Sequence, residues 1–199
     1  MRRLIALLAA LCLPALAHAD LLTDVGERIT KAPVVRGEFT QTRELSGIKK
    51  PVSAEGQFLV LRGQGVLWST TKPFGSSLRV TSTEILQRDA RGNSLRLRAD
   101  GEPVVGTISQ VLMGVMAGDF TQLDKLFTVS GKLDGKRWQL ALAPREAAMA
   151  KVIGEIRVAG ASTVEDVVLD APNGDRTRIE MRKVTTAQQA ETAERAAFE

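Results

Sequence analysis

Carboxylates are the side chains of this sequence that have the chemistry for acid–base catalysis. Asp89 and Asp100 flank a short predicted hairpin, and Glu165 and Asp166 are adjacent in a predicted strand, where neighbours point to opposite faces. Neither pair has a spacing that predicts a retaining or inverting glycosidase. Acidic residues of globular domains are mostly solvated surface groups. We therefore expect no catalytic residue.

The residue types that other catalytic sites need are confined to the start of the chain. Cys12 and His18 are the only cysteine and the only histidine in 199 residues, and there is no tyrosine. A chain without His and Cys has no Ser-His-Asp triad, no thiol nucleophile and no His- or Cys-ligated zinc. The glycines follow no nucleotide-binding fingerprint. We expect neither a metal nor a cofactor.

Residues 1–19 have the three parts of a secretory signal peptide: a basic start, an apolar stretch at 4–13, and the small-x-small cleavage signal Ala17-His18-Ala19. A membrane anchor would need roughly 20 apolar residues to span the bilayer. A lipoprotein signal at Cys12 would need a smaller residue than Leu11 before it. We therefore predict cleavage after Ala19. Export without cysteine in the remaining chain indicates a bacterial periplasm.

The charge of the chain argues against nucleic acid as a partner. The formal net charge is +4, and two of those charges belong to the predicted signal peptide. In the rest of the chain, Lys and Arg are interleaved with acidic residues throughout, which gives no electrostatic argument for nucleic acid. Binding of single strands would also need aromatic residues among the basic ones, and only 4% of the residues are aromatic.

Most of the chain after Pro33 has the pattern of short antiparallel strands. Runs of β-branched and apolar residues alternate with Gly or Pro punctuation. Turn signals such as Asp134-Gly135 and Asn173-Gly174-Asp175 join neighbouring runs. The predicted strands are 34–45, 52–61, 65–70, 77–82, 85–89, 94–98, 127–132, 137–142, 152–159, 164–170 and 176–184. The sequence therefore predicts a mainly β domain of the α+β class.

Three segments have a helical pattern. Residues 20–31 are amphipathic, and residues 186–199 are predicted to be a frayed helical tail. The third segment, 102–125, carries an apolar stripe with Met113 beside it. The stripe consists of Val104, Val105, Ile108, Val111, Leu112, Val115 and Met116.

Three glycines interrupt this stripe, at Gly106, Gly114 and Gly118. Each costs a helix interior roughly 0.5–1 kcal/mol relative to alanine, so the helix is either adjustable or broken into two pieces. The segment then has two interpretations. In one it simply closes the core of the sheet. In the other, sheet and helix enclose an adjustable apolar cavity, to which flexible Met side chains are suited.

Short motifs follow one another in a fixed order between Val34 and Phe74. They are Gly37-Glu38-Phe39-Thr40-Gln41 (G-x-F-x-Q), Gly56-Gln57-Phe58 (G-x-F), Arg62-Gly63, Val66-Leu67-Trp68 and Pro73. In this order, behind a signal peptide and a helix, they resemble the LolA-type periplasmic lipoprotein carriers. We extend the resemblance to a carrier domain at 20–185, followed by a C-terminal tail at 186–199.

The resemblance implies a fold and a set of partners. The fold is an incomplete antiparallel β-barrel of about eleven strands, with an N-terminal helix and helical lid segments. The implied cargo is the acyl chains of lipoproteins or lipids, and an inner-membrane donor transporter and an outer-membrane acceptor are the implied partners. We expect a monomer.

Two departures separate this chain from the general carrier. The family's F-R-W triplet carries an arginine that latches the lid helices, and this chain has Leu67 at that place. Either the lid closes by packing alone or the ligand differs. The family's S-D-G turn is replaced by Ser82-Thr83-Glu84, and residues 85–89 are similar to divergent branches associated with export of specialised lipids, including aryl polyenes.

The leading interpretation is a periplasmic carrier that shields acyl chains in an apolar cavity during transfer from the inner to the outer membrane. The alternatives are a lipoprotein-sensing or scaffold domain of similar fold and a carboxylate-based enzyme. Which of Leu67 and Trp68 faces inward is open, because both have apolar neighbours. The expected cavity and lid residues are Phe39, Phe58, Val60, Leu67, Trp68, Val80, Leu112, Met116, Trp138 and Leu140.

Overall fold

The structure is a computed structural model that describes residues 17–101, 103–120, 123–151 and 153–198. Apart from its last three positions, the predicted signal peptide lies outside the described residues. The described part of the chain forms one antiparallel sheet of eleven strands with short helices. This confirms the predicted fold class, an incomplete β-barrel of the α+β type.

The described strands and helices follow the predicted order. The strands are β1 Val34–Glu44, β2 Val52–Leu61, β3 Gly65–Lys72, β4 Ser76–Thr81, β5 Glu84–Asp89, β6 Ser94–Arg98, β7 Phe127–Asp134, β8 Arg137–Pro144, β9 Glu155–Gly160, β10 Val164–Asp170 and β11 Arg176–Ala187. The helices are α1 Ala17–Arg28, α2 Pro103–Ala117, α3 Leu123–Leu126, α4 Ala147–Ala150 and α5 Thr192–Ala196.

The first and last strands join the two halves of the sheet. The order across it is β6-β5-β4-β3-β2-β1-β11-β10-β9-β8-β7. Pairing of β1 with β11 therefore connects a meander of β1 to β6 with a meander of β7 to β11. β6 and β7 are the edge strands, and the connection between them contains α2 and α3.

The G-x-F motifs interlock across the β1–β2 pair. The register places Gly37 opposite Phe58 and Phe39 opposite Gly56. A Cβ atom at Gly37 would lie 2.9 Å from Phe58 Cε1, and one at Gly56 would lie 2.6 Å from Phe39 Cε1. Each glycine thus makes room for the ring on the neighbouring strand, which fixes the register of the two strands.

Helix α2 is continuous over fifteen residues and ends at Gly118. Gly118 has a φ of 65°, and its N–H donates to the Val115 carbonyl at 3.2 Å. A Cβ atom there would lie 2.2 Å from Ile29 Cγ2, directly after α1, and one at Gly114 would lie 2.7 Å from the Asp119 carbonyl oxygen. These two glycines therefore permit a tight helix end that packs on α1.

The C-terminal tail contains a helix, as predicted, but the tail is packed on the sheet and not frayed. Helix α5 lies against the sheet, where Arg79 Nη1 donates to the Ala197 carbonyl at 3.3 Å. The Phe198 ring covers Gly65, at which a Cβ atom would be 2.9 Å from Phe198 Cε1. Arg36 also pairs with two carboxylates of this segment, at 2.9 and 3.0 Å. Apolar contact and ion pairs together hold the segment on the sheet.

Candidate functional site

The two faces of the sheet bury different sets of residues. On the inner face, which we define as the face covered by α1 and α2, Phe58 and Val60 of β2 belong to the main core cluster. On the outer face, Leu59 and Leu61 belong to a smaller cluster that includes Phe198. The alternation is that of a strand, in which successive side chains point to opposite faces.

Nine of the ten predicted site residues lie between the sheet and the helices: seven are on the inner face of the sheet, and Leu112 and Met116 are on α2, which covers it. Of these nine, seven belong to the main core cluster or pack against it: Phe58, Val60, Trp68, Leu112, Met116, Trp138 and Leu140. Phe39 joins them by stacking on Trp68, with the ring centroids 3.8 Å apart. Val80 joins them because it lies opposite Val66, a member of the cluster.

Leu67 is the exception, because it lies on the other face of the sheet. It packs with the outer cluster beside Phe198 and Ala190. Trp68 therefore faces inward, because adjacent residues of a strand cannot share a face. The same alternation directs the side chain at position 67 away from α1 and α2.

Aromatic side chains form much of the inner surface. Phe58 lies 6.1 Å from Trp68 between ring centroids, and Phe120 meets Trp138 edge to face at 5.5 Å. The Trp138 indole N–H donates to the Ala161 carbonyl at 2.7 Å, so its only polar group has a partner. The face that these rings present to the helices is therefore apolar.

Helix α2 covers this face without any charged residue. Val105, Val111, Val115 and Met116 are buried, and Leu112 and Met113 pack half-buried against the core. The buried Ser109 hydroxyl has no hydrogen-bond partner among the described residues. A surface helix ordinarily carries charged residues on its outer side, so α2 is unusually apolar for its position.

The helices fill the inner face in this conformation. A small space of about 10 Å³ lies between sheet and helices, lined by Ile29, Val35, Phe58, Met116 and Met181 among others. A cavity of this size holds about one water molecule. Of the two interpretations of α2, the structure therefore shows a helix that closes the core.

A much larger cleft lies beside α1. Its volume is about 1010 Å³, and it runs between α1, the residues after α2, α3 and β7. Its walls combine apolar side chains, including Leu22, Phe120 and Val129, with charged ones, including Glu27 and Asp124. Phe120 also packs on Trp138, so the cleft reaches the edge of the inner face.

Two arginines fix the walls of this cleft through backbone carbonyls. Arg62 Nη2 donates to the Thr30 carbonyl at 3.0 Å, which ties the end of β2 to the segment after α1. Arg145 Nε donates to the Asp124 and Phe127 carbonyls at 2.9 and 3.0 Å, which holds α3 against β7. The sequence motif contains Arg62 without indicating this role.

The predicted set also omits several residues of the inner surface. Ile29, Val35, Phe120 and Met181 line the residual space or the cleft. Ile29 belongs to the amphipathic pattern of 20–31, and Met181 to the apolar side of the last predicted strand. Phe120 lies in the connection after α2, where no periodic pattern indicates which way a side chain points.

Each of the four acidic residues considered for catalysis has a partner. Asp89 bonds to Asn93, and the other three form ion pairs: Asp100 with Arg98 at 3.4 Å, Glu165 with Arg137 at 2.8 Å and Asp166 with Arg178 at 2.6 Å. The side-chain hydrogen bond from Asn93 lowers the pKa of Asp89. In the described part of the chain, no cluster of acidic, His or Cys side chains is suited to holding a metal.

Comparison with known proteins identifies the family. The model of the outer membrane lipoprotein carrier protein LolA matches residues 30–195. The chain belongs to the LolA family. This confirms the resemblance that the motifs in 34–74 indicate. A search of curated proteins finds no match to this LolA-family chain.

Several solved structures resemble this LolA-family chain. A DUF1329 family protein from Desulfovibrio piger has 12% identity and a TM-score of 0.54, covering 94% of this chain and 99% of its own. A LolA superfamily protein from Nitrosomonas europaea has 8% identity and a TM-score of 0.48, covering 91% and 96%. MucB, in the Pseudomonas aeruginosa MucA/MucB complex, has 15% identity and a TM-score of 0.48, covering 88% and 59%. The first of these shows a shared fold.

The helices of this LolA-family chain are short. Among the residues that the structure describes, no helix has both the length and the apolar character needed to cross a membrane.

Proposed function

We propose that this chain is a periplasmic carrier that shields the acyl chains of lipoproteins or lipids during transfer from the inner to the outer membrane. The observation that carries the proposal is the apolar inner face covered by an uncharged helix. Membership of the LolA family supports it. Residues 1–19 would be the signal that directs the chain to the periplasm.

Loading requires movement of the lid, by which we mean α1 and α2. A residual space of about 10 Å³ is too small for an acyl chain. The cleft beside α1 supplies a route, because it leads to Phe120 at the edge of the inner face. Separation of α1 from the end of α2, at the contact of Ile29 with Gly118, would extend the cleft over the inner face.

Helix α2 packs on the sheet mainly through apolar side chains. Its core contacts are apolar side chains, and an acyl chain offers an equivalent apolar surface in exchange. The buried Ser109 hydroxyl favours opening, since an unpaired buried hydroxyl costs about 1–3 kcal/mol and regains partners when water reaches it.

The energetics require partners that give the transfer its direction. Burying one methylene gains about 0.8 kcal/mol relative to water, so a chain of about fifteen gains roughly 12 kcal/mol. A chain that leaves a bilayer gains little of this, because one apolar environment replaces another. The proposal therefore includes an energy-driven donor at the inner membrane and an acceptor of higher affinity at the outer membrane.

The proposed lining residues are the nine between the sheet and the helices, without Leu67. The test is to recover the protein from its own periplasm and to identify bound lipid by native mass spectrometry. We expect bound lipid or lipoprotein on the wild type and none on Leu112→Asp or Met116→Asp, because a carboxylate on the inner side of α2 would face acyl chains.

Gln110→Asp is the matched control, because Gln110 is exposed on the same helix. It should keep the cargo, and circular dichroism should show the same strand content in all variants. Unchanged lipid recovery from folded Leu112→Asp and Met116→Asp would overturn the assignment of α2 as a lid. A stably bound protein with no lipid would indicate a scaffold instead of a carrier.

A further inference from the structure

Three hairpin turns of the first meander lie at one end of the sheet. Because the strands alternate in direction, the β1–β2, β3–β4 and β5–β6 turns, at 45–51, 73–75 and 90–93, must share an end. The turns also approach each other, since a Cβ atom at Gly75 would lie 3.8 Å from Ala90 Cβ. We call these turns and their flanking strand residues the hairpin end.

Exposed apolar side chains concentrate at the hairpin end. Among the described residues, four large hydrophobic side chains are strongly exposed: Phe74 at 81%, Leu95 at 55%, Ile48 at 54% and Val52 at 47%. All four lie in these turns or within two residues of them. Scattered exposed apolar residues need no explanation, but a cluster of them marks a site of interaction.

The turn that carries Ile48 is ordered before any partner binds. The Ile48 N–H donates to the Leu45 carbonyl at 2.9 Å, and the Ser46 N–H donates to Asp175 Oδ1 of the β10–β11 turn at 2.8 Å. These bonds order the backbone of the turn, from which the Ile48 side chain projects with 54% of it exposed. Binding through it costs little ordering of the chain.

Cationic side chains surround these apolar tips. Segments 43–52, 71–76 and 88–95 carry six Lys or Arg residues and two acidic ones. Lys72 is neutralised by Glu55 at 3.0 Å. Five cationic residues form no ion pair with another described residue: Arg43, Lys49, Lys50, Arg88 and Arg91.

The second meander differs in this respect. Its arginines on β8 to β11 are paired with carboxylates, as in Arg137–Glu165 and Arg178–Asp166. The unpaired positive charge and the exposed apolar side chains thus occur together at the hairpin end, and the rest of the described sheet surface does not combine them.

We infer that the hairpin end docks on an anionic lipid surface. Apolar tips among Lys and Arg are the combination that binds a membrane interface, since the tips enter the boundary between headgroups and acyl chains while the cations meet anionic headgroups. The tips project from separate turns, which favours a soft lipid surface over a shaped protein pocket. The inference is independent of the proposed cargo.

The test is cosedimentation with lipid vesicles. The wild-type protein and all variants carry the same N-terminus. Residues 1–19 then either contribute equally to vesicle binding in every sample or are absent from all of them. We expect binding to vesicles of phosphatidylglycerol and phosphatidylethanolamine, weaker binding at high salt, and little binding to phosphatidylcholine alone. Each Lys or Arg near an anionic surface contributes about 1 kcal/mol, or about fivefold in partitioning.

Two variants separate the electrostatic and apolar contributions. Lys49→Glu/Lys50→Glu should lower partitioning to anionic vesicles more than tenfold, and Phe74→Ser should lower it at any salt concentration. The matched control is Lys132→Glu/Lys136→Glu, which makes the same charge change at exposed positions near the β7–β8 turn, at the opposite end of the sheet. It should bind like the wild type.

All these positions are exposed, so each variant should keep the wild-type circular dichroism spectrum. The inference is overturned if the wild type does not bind anionic vesicles, or if the control loses binding as strongly as Lys49→Glu/Lys50→Glu. Equal binding to neutral and anionic vesicles would also contradict it. A surface that binds a purified protein but no vesicle would be a protein contact.

Discussion

Substitution by alanine should have opposite effects on stability at Gly106, inside α2, and at Gly118, directly after it. At Gly118 the new Cβ would meet Ile29 Cγ2 at 2.2 Å, and the φ of 65° is unfavourable for any residue with a Cβ. At Gly106 the nearest atom would be Ala99 Cβ at 3.6 Å, an ordinary contact, inside a regular helix. Packing therefore opposes alanine at Gly118, and helix propensity favours it at Gly106.

The magnitudes follow from these contacts. A left-handed conformation costs about 1–2 kcal/mol for a residue with a Cβ, and overpacking adds about 1–3 kcal/mol. Gly118→Ala should therefore lower the free energy of unfolding by about 2–5 kcal/mol. Gly106→Ala should raise it by about 0.5–1 kcal/mol. The difference in Tm between the two variants should exceed about 5 °C for a domain of this size.

Thermal and urea denaturation followed by circular dichroism would measure both changes. Gly26→Ala serves as the matched control in α1, because nothing lies within 4 Å of the Cβ position; it should be stabilising like Gly106→Ala. If Gly118→Ala proved as stable as Gly106→Ala, the close contact between the end of α2 and Ile29 would be refuted. The proposed opening between α1 and α2 would then lose its structural basis.

Two further predictions concern a buried hydroxyl and a surface carboxylate. Ser109→Ala should raise the free energy of unfolding by about 1 kcal/mol, because it removes an unpaired buried group, and a lower Tm would contradict this. The side-chain hydrogen bond from Arg176 lowers the pKa of Asp170. The stability that this bond gives the folded protein is therefore complete above the pKa of an unfolded Asp, about 3.9, and is lost as pH falls through the folded pKa. Asp170→Asn should therefore lose less stability than the wild type on acidification below about pH 4, as Tm measured against pH would show; an unchanged acid slope would refute it.

Much of the fold could be predicted because its signals are local. Turn chemistry such as Asp134-Gly135 and the alternation of apolar residues identify hairpins wherever the chain folds back on its neighbour. The strand at 164–170 and the strand at 52–61 match the structure at both ends. α4 carries no comparable signal and is absent from the prediction. It is a single helical turn, Ala147–Ala150, formed in a connection between strands.

The candidate site could be predicted only in part, because a face is defined by what covers it. Most sheet positions of the site follow from motif and alternation, and Leu112 and Met116 follow from the helical stripe. Leu67 and Trp68 are both apolar and need the cross-strand register to be told apart. The docking of Phe198 on Gly65 depends on a contact across more than a hundred residues of chain. A periodic pattern in the sequence gives no sign of a contact between residues so far apart in the chain.

The sequence by itself determined the strand order within each meander, the apolar character of the segment at 102–125 and the lack of His or Cys chemistry beyond residue 19. Only the tertiary structure decided that the β1–β11 pair joins the meanders and that the helices close the inner face. It also decided that the helical segment at 102–125 is divided, with Gly118 ending α2 before α3 begins at Leu123, and that this helix end packs on Ile29. The physical reason is that composition and periodicity act between near neighbours, while closure of the inner face depends on which distant surfaces meet.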